Sequence, residues 1–172
     1  MIRNGRDDMK TGYSDRTDQE FLTSMVDSIN QHRAKHGVPP VVLDQQLVDY
    51  AKSRAEHVAG KGALVHDGTG GYGENLYSSS SSEPVQGPAT AASDAWYAEI
   101  KYYNYETFAS NDPKKAIGHF TQLVWKDSTK IGAGRVCGSA DNTWHDTYIA
   151  VNFSSAGNMS GAYQDNVLPP AP

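Results

Sequence analysis

The chain has 172 residues, 38% of them hydrophobic and 20% charged, which is enough for one globular domain with a real core. A net charge of −5 and a pI near 5.6 exclude the basic surface that nonspecific nucleic-acid binding needs. No apolar run approaches the roughly 18 residues of a membrane span, and a single cysteine, Cys137, excludes both an intramolecular disulfide and a Cys-based zinc site.

Residues 1–16 are polar and charged, lack the apolar stretch of an intact signal peptide, and read as a flexible segment ahead of one domain over 17–172. Thr17-Asp18-Gln19-Glu20 fits a capping box, with Thr17 as the cap. Phe21, Leu22, Met25, Val26 and Ile29 follow at helical spacing until Gly37 and Pro39-Pro40 stop the helix. Asp44 can cap a second helix whose apolar face is Leu47, Val48, Ala51, Ala55 and Val58, ended by Gly60 and Gly62. Residues 67–73 form a glycine-rich loop, with short extended pieces expected near Ala63–Val65 and Leu76–Tyr77. The serine run Ser78–Ser82, followed by Pro84, Gly87 and Pro88, reads as a mobile surface loop.

A third helix is expected over Ala89–Tyr103, with Ala92, Trp96, Ile100 and Tyr103 on one side. A fourth begins at Asp112 with Pro113 in the favoured first position and runs to about Trp125 through Gly118. The period then changes. Ile131–Val136 is a strand candidate, and Thr147, Ile149, Val151 and Phe153 alternate with Tyr148, Ala150 and Asn152. Helices first and strands late give an α+β class, helices packed on a mainly antiparallel sheet.

The chemistry concentrates at few positions. His66 precedes the glycine loop, Glu74 lies at its far end, Glu99 sits beside the Trp96/Ile100 face, and His119 lies in an apolar segment. Two imidazoles and carboxylates among glycines and aromatics make a divalent metal the first chemistry to consider. Taken singly, each also reads as structural: a solvated loop histidine, a helix-face carboxylate, a core histidine satisfied by one hydrogen bond. His32 and His36, four apart, could chelate a metal, but histidines near a helix C-terminus also suit its dipole. No HExxH, GxSxG, Walker A or GxGxxG motif is present. Tyr97, Tyr102 and Tyr105 fit an aromatic spacing associated with lipid or scaffold binding, although aromatics on a helix are usually core. Asn152-Phe153-Ser154 and Asn158-Met159-Ser160 match the glycosylation acceptor triplet.

Five elements in order then resemble one family over about residues 18–168. Gly118-His119-Phe120-Thr121-Gln122-Leu123-Val124-Trp125 matches the GHFTQxVW signature of the CAP superfamily: cysteine-rich secretory proteins, antigen 5 and pathogenesis-related proteins of class one. Gly73-Glu74-Asn75-Leu76 matches its GEN(L) element, and Trp96-Tyr97-Ala98-Glu99-Ile100 its WYxEI segment. Residues 30–40 resemble its N-terminal helix end, and Ala156-Gly157-Asn158 with Asn166-Val167 its closing motifs. The resemblance implies a three-layer α-β-α sandwich with a central antiparallel sheet. It implies that His66, Glu74, Glu99 and His119 form one cleft, the histidines binding a divalent metal, zinc first and magnesium second, and the glutamates supporting them.

It also implies a sterol or fatty acid as ligand, with Tyr97, Tyr102, Tyr103 and Tyr105 and the 78–88 loop as candidates to line its site. A membrane-surface or protein partner is a further expectation, and nucleic acid is not one. The alternatives are a metal-dependent hydrolase using Glu74 or Glu99 as base and a non-catalytic interaction protein. Where many secreted members carry Gly-Cys-Gly this chain has Gly132-Ala133-Gly134, and it resembles the cysteine-poor Golgi-associated branch as well as the fungal secreted one. Secretion is the expected localisation, with a cytosolic or Golgi-associated one as the alternative.

Overall fold

In the computed structural model, which describes residues 12–172, helix α1 (Gln19–Lys35) is capped by Asp18, whose carboxylate accepts the Phe21 amide at 2.8 Å. Thr17, the cap expected from sequence, is drawn away by the main chain of Arg135. Its hydroxyl accepts the Arg135 amide at 2.9 Å and donates to the Arg135 carbonyl at 3.3 Å. Both residues can cap by type, and a tertiary contact decides which one does. Helix α2 (Gln45–Lys61) starts as expected, with Asp44 accepting the Leu47 amide at 3.1 Å. It runs through the buried Gly60 and closes at Gly62, which takes the left-handed conformation with φ 63°.

Strands β1 (Tyr13–Asp15), β2 (Val42–Leu43), β3 (Gly73–Ser81), β6 (Lys130–Gly138) and β7 (His145–Ser154) make one sheet, and β4 (Tyr103–Asn104) pairs with β5 (Ala109–Ser110) in a separate ribbon. The order is β3-β7-β6, with β1 and β2 sharing the outer edge of β6. All pairings in the main sheet are antiparallel except β2 with β6. Two expectations change here. Tyr13–Asp15, placed in the flexible segment, pairs with Val136–Gly138, while residues 1–11 of that segment lie outside the described residues. Ser78–Ser81, read as a mobile loop, continues β3 opposite Tyr148 to His145. Serine carries no apolar alternation, so the partner strand and the Ser80 hydroxyl bond to Asp146 (2.6 Å) supply the order.

Alternation along the sheet divides the core. Ile131, Ala133, Ile149, Val151 and Phe153 pack against Phe21, Met25 and Ile29 of α1, and against Ala92 and Trp96 of helix α3 (Ala89–Tyr97). Val136, Tyr148, Ala150 and Leu76 face Ala55, Val58 and Ala59 of α2. The result is a three-layer α-β-α sandwich, as expected. α2 lies almost in contact with the backbone of β6: a Cβ added to Gly132 would stand 1.9 Å from the Leu47 carbonyl carbon, and one added to Gly134 2.6 Å from Lys52 Cα.

The other helices are shorter than periodicity suggested. α3 passes at Ala98 into a 3-10 turn ending at Tyr102. Asp112 and Pro113 form a turn, Asp112 accepting the Lys114 amide on its side chain (3.0 Å) and the Lys115 amide on its carbonyl (2.9 Å). Helix α4 is therefore confined to Gly118–Leu123, and the short helix α5 (Tyr163–Asn166) follows the sheet. Ala63–Val65 is irregular. His32 and His36 are both buried and engaged, His32 Nε2 with Asp94 (2.9 Å) and His36 with the Leu168 carbonyl (2.7 Å) and the Tyr97 hydroxyl (2.9 Å).

Candidate functional site

The glycine loop returns His66 to the start of β3, where its Nδ1 lies 3.1 Å from Glu74 Oε1. Glu74 points to the α2 face of the sheet, beside Asn152 and under Arg54. Its two oxygens are filled. Arg54 Nε donates to Oε2 at 2.8 Å and Nη2 to Oε1 at 3.1 Å, and Asn152 Nδ2 donates to Oε2 at 3.0 Å. Burial pushes the Glu74 carboxyl up, but the Arg54 and Asn152 hydrogen bonds and the nearby positive charge outweigh it, and the net shift is downward. Arg54 also donates to Asp67 (3.0 Å) and to the Val65 carbonyl (2.6 Å), so one guanidinium fixes both ends of the loop that carries His66. Asp67 is held at about 2 by its hydrogen bond from His57, with Arg54 adding to the effect. The loop lies close on α2: a Cβ at Gly68 would stand 2.5 Å from the Tyr50 hydroxyl, and the Gly70 amide donates to that same oxygen at 3.0 Å.

The second pair is carried by the 3-10 turn after α3 and by α4. Glu99, in the 3-10 turn after α3, accepts the His119 and Phe120 amides on Oε1 (3.0 and 3.1 Å) and lies 2.9 Å from His119 Nδ1 through Oε2. One carboxylate thus begins α4 and orients the imidazole that α4 carries. Trp96 stacks alongside the His119 ring, 6.3 Å between centroids. The signature segment is anchored behind it. Gln122 Oε1 accepts the Gly157 amide (2.8 Å), Asn158 Nδ2 donates to the Gly118 carbonyl (2.9 Å), and a Cβ on Gly73 would strike Gln122 at 2.1 Å.

The structure therefore joins His66 to Glu74 and His119 to Glu99, as two pairs. What ties one pair to the other is Asn75, next to Glu74 on β3, whose Nδ2 donates to the His119 carbonyl at 3.0 Å. Among the described residues, no group of three or more His, Cys, Asp or Glu side chains is placed to hold a metal ion. The donor set nevertheless has the chemistry of a cation site of low protein ligation. Each imidazole is bonded through Nδ1 to a carboxylate, which fixes the tautomer and leaves Nε2, without a hydrogen-bond partner among the described residues, as the lone-pair nitrogen. His66 and His119 would be the ligands, and the glutamates their supports.

The tyrosines divide. Tyr103 is 5% exposed and packs edge-on against Phe120 and Tyr105, and Tyr97 packs on Phe120 and His36. The hydroxyls of Tyr103 and Tyr105 are buried with no hydrogen-bond partner among the described residues. Tyr102 is half-buried, with the Lys101 and Lys115 ammonium groups 5.1 and 5.7 Å from its ring centroid. Neither glycosylation triplet presents a free asparagine: Asn152 is 1% exposed against Glu74, and the exposed Asn158 spends its amide on Gly118 and Thr121.

Arg54 is the site residue that sequence reasoning passed over. Its signal was present, because it stands three positions from Ala51 and four from Val58 on the apolar stripe of α2. A charged residue inside a buried stripe calls for a buried partner.

A family model described as the cysteine-rich secretory protein family, CAP, matches residues 26–153. Protein PRY2 of Saccharomyces cerevisiae is 39% identical over 153 residues, which are 87% of this chain and 42% of that protein, so the chain spans less than half of this relative. Golgi-associated plant pathogenesis-related protein 1 of Homo sapiens is 33% identical over 159 residues, 88% of this chain and 95% of that one. Among solved structures, that of BmVAL-1 has a TM-score of 0.65 at 22% identity, covering 84% of this chain and 81% of that chain, a likeness of fold.

Proposed function

This chain belongs to the cysteine-rich secretory protein (CAP) family, in its pathogenesis-related type, and we propose that it is a ligand-binding domain rather than an enzyme. The observation that carries this reading is the state of the two carboxylates. A hydrolase acting through a metal-bound water would use Glu74 or Glu99 as base. Glu74 is saturated by Arg54, Asn152 and His66, and Glu99 is committed to two amides and His119. Such carboxylates orient imidazoles. Glu74 is a poor proton acceptor because each of its lone pairs faces a donor, and the Arg54 and Asn152 hydrogen bonds stabilise its charged form. A divalent cation, zinc foremost, would rest on His66 and His119 and keep the rest of its coordination as water.

The ligand of this reading is a sterol or fatty acid. Support for its siting comes from the Tyr103 and Tyr105 hydroxyls, buried amid Phe120, Ile100 and Tyr97 without a partner among the described residues. A sterol brings one hydroxyl on an apolar body, which matches such a lining. The two-residue ladder of β4 and β5 stands off the main sheet beside this cluster. Secretion, or residence in the Golgi, completes the proposal; the family's description is secretory, and the human relative's name places that protein at the Golgi.

Equilibrium binding of radiolabelled cholesterol, competed by unlabelled sterol and by palmitate, tests this. Saturable and competed binding is expected, weakened about tenfold in Tyr103→Phe and Tyr105→Phe, which keep the rings and remove one hydrogen-bonding group each. Polar substitution at Tyr103 is unsuitable because that ring is core. Absence of saturable binding by the folded protein rejects the ligand class. Binding untouched by either variant rejects the siting.

A further inference from the structure

Arg135, on the α1 side of β6, is 8% exposed and has no carboxylate within ion-pair distance among the described residues. Nε donates to the Arg16 carbonyl at 3.0 Å and Nη1 to the Gly87 carbonyl at 3.0 Å, while the Phe21 ring lies 4.5 Å beneath the guanidinium. Two carbonyls and an aromatic face hold the charge in place without neutralising it. Nη2 has no hydrogen-bond partner among the described residues. Arg135 lines a cavity of about 280 Å³ between the first turns of α1 and α3. The nine-residue α3 follows Pro88, which supplies no side-chain cap, and Ala89 and Thr90 line the same cavity at the positive pole of the helix. Opposite them stand the exposed carboxylates of Asp18 and Glu20.

We propose that this cavity binds a small zwitterion, its oxyanion on Arg135 Nη2 and the first amides of α3 and its ammonium towards Asp18 and Glu20. A buried cation lacking an anionic partner and a helix start lacking a cap both ask for an oxyanion. The two acidic side chains on the rim select against a plain anion and in favour of one that carries its own positive charge. The site lies on the α1/α3 side, apart from the His–Glu pairs, and does not depend on the reading given for them.

The test is a ¹⁵N NMR titration of the whole chain with phosphoethanolamine and, separately, L-alanine, set against inorganic phosphate and ethanolamine. The expected result is saturable shifts at the Ala89 and Thr90 amides and at the Arg135 side chain. At least one zwitterion should bind about tenfold more tightly than phosphate or ethanolamine, the difference one charge-assisted hydrogen bond makes. Response to phosphoethanolamine alone identifies a phosphate oxyanion such as a lipid headgroup presents; response to alanine as well identifies zwitterions in general. Arg135→Lys should abolish the shifts. Glu20→Gln, at an exposed position that leaves the fold intact, should erase the preference for zwitterion over phosphate, and it decides the matter should Arg135→Lys fail to fold. Equal affinity for phosphate, shifts confined to other residues, or no saturation overturns the proposal.

Discussion

Arg54 meets Glu74 through two parallel hydrogen bonds, Nε to Oε2 at 2.8 Å and Nη2 to Oε1 at 3.1 Å, with side chains only 6% and 9% exposed. Two further donors of that guanidinium go to Asp67 and Val65, so the pair also closes the loop that brings His66 to the sheet. Removing the cation strands a carboxylate where water cannot solvate it. Arg54→Met should therefore lower the unfolding free energy by about 3–5 kcal/mol. Arg54→Lys, which keeps the charge and loses the fork, should cost less. The double change Arg54→Met with Glu74→Leu should recover part of the loss, because no charge is then left unpaired. Urea unfolding of the three variants measures this, and a single Arg54→Met within about 1 kcal/mol of the parent would sink the argument.

Glu99 does two jobs with one carboxylate, and two substitutions separate them. Glu99→Gln keeps an oxygen for the His119 and Phe120 amides and loses the charge facing His119 Nδ1. Glu99→Ala loses both. If His119 is a metal ligand, zinc affinity by titration calorimetry should fall about 10- to 100-fold in Glu99→Gln, the usual effect of removing a ligand's carboxylate support. Thermal stability should fall further in Glu99→Ala than in Glu99→Gln. Zinc binding that is indifferent to both variants would remove His119 from the ligand set.

Much of this architecture was legible in residue order. Asp44 and Gly62 mark the ends of α2, and the alternation from Thr147 to Phe153 is that of a strand whose two faces are both covered. What escaped was decided at a distance. Thr17 and Asp18 are both competent caps, and only the backbone of Arg135 chooses between them. Ser78–Ser81 has no pattern of its own and is ordered by β7. Asp112-Pro113 is a good helix start by type, yet α4 begins at Gly118, where Glu99 reaches over from the preceding turn to take its first amides. The same holds for the site. The family motifs pointed to His66, Glu74, Glu99 and His119, which the fold joins as two His–Glu pairs, whereas Arg54 needed the fold to show what a charge on the apolar stripe of α2 was for.

Gly132 and Gly134 carry the backbone contact between β6 and α2. Gly134→Ala would drive a methyl group to 2.6 Å from Lys52 Cα, and Gly132→Ala to 1.9 Å from the Leu47 backbone. Neither obstacle is a flexible side chain, so α2 as a whole must lift from β6. The expected loss is about 3 kcal/mol or more at each site, the upper range for overpacking, and larger at Gly132. Because α2 also carries Arg54, the shift should register at His66 as a changed imidazole resonance even where the protein stays folded. A normal unfolding midpoint for Gly132→Ala would show that the helix can move without cost.

Acid sensitivity should appear well above the carboxylate range, and its source is the buried histidines. His32 and His36 are both depressed below the ordinary 6.5, first by burial, with the Lys35 ammonium adding to it. Asp94 opposes the shift at His32 and the Leu168 carbonyl opposes it at His36, without reversing either. His36 has both nitrogens spent as a neutral ring, Nδ1–H donating to Leu168 and Nε2 accepting from Tyr97, and His32 Nδ1 is buried without a partner among the described residues. The sign follows. Between the depressed folded pKa and 6.5 the unfolded chain binds more protons than the native one, so stability is complete above about pH 7 and declines as pH falls below 6.5. The carboxylates held low, Glu74 and Asp15 among them, act in a separate window below about pH 5. Urea midpoints measured between pH 5.5 and 8 should therefore drop on the acid side, and His36→Gln should flatten the slope at some cost in stability at pH 8. Because His36 ties the chain at Leu168 to the end of α1, with the Ala171 amide on the Lys35 carbonyl beside it, amide exchange in residues 167–171 should accelerate first as the pH falls. A flat profile in the parent protein, or a slope that His36→Gln leaves unchanged, would assign the acid response to other groups.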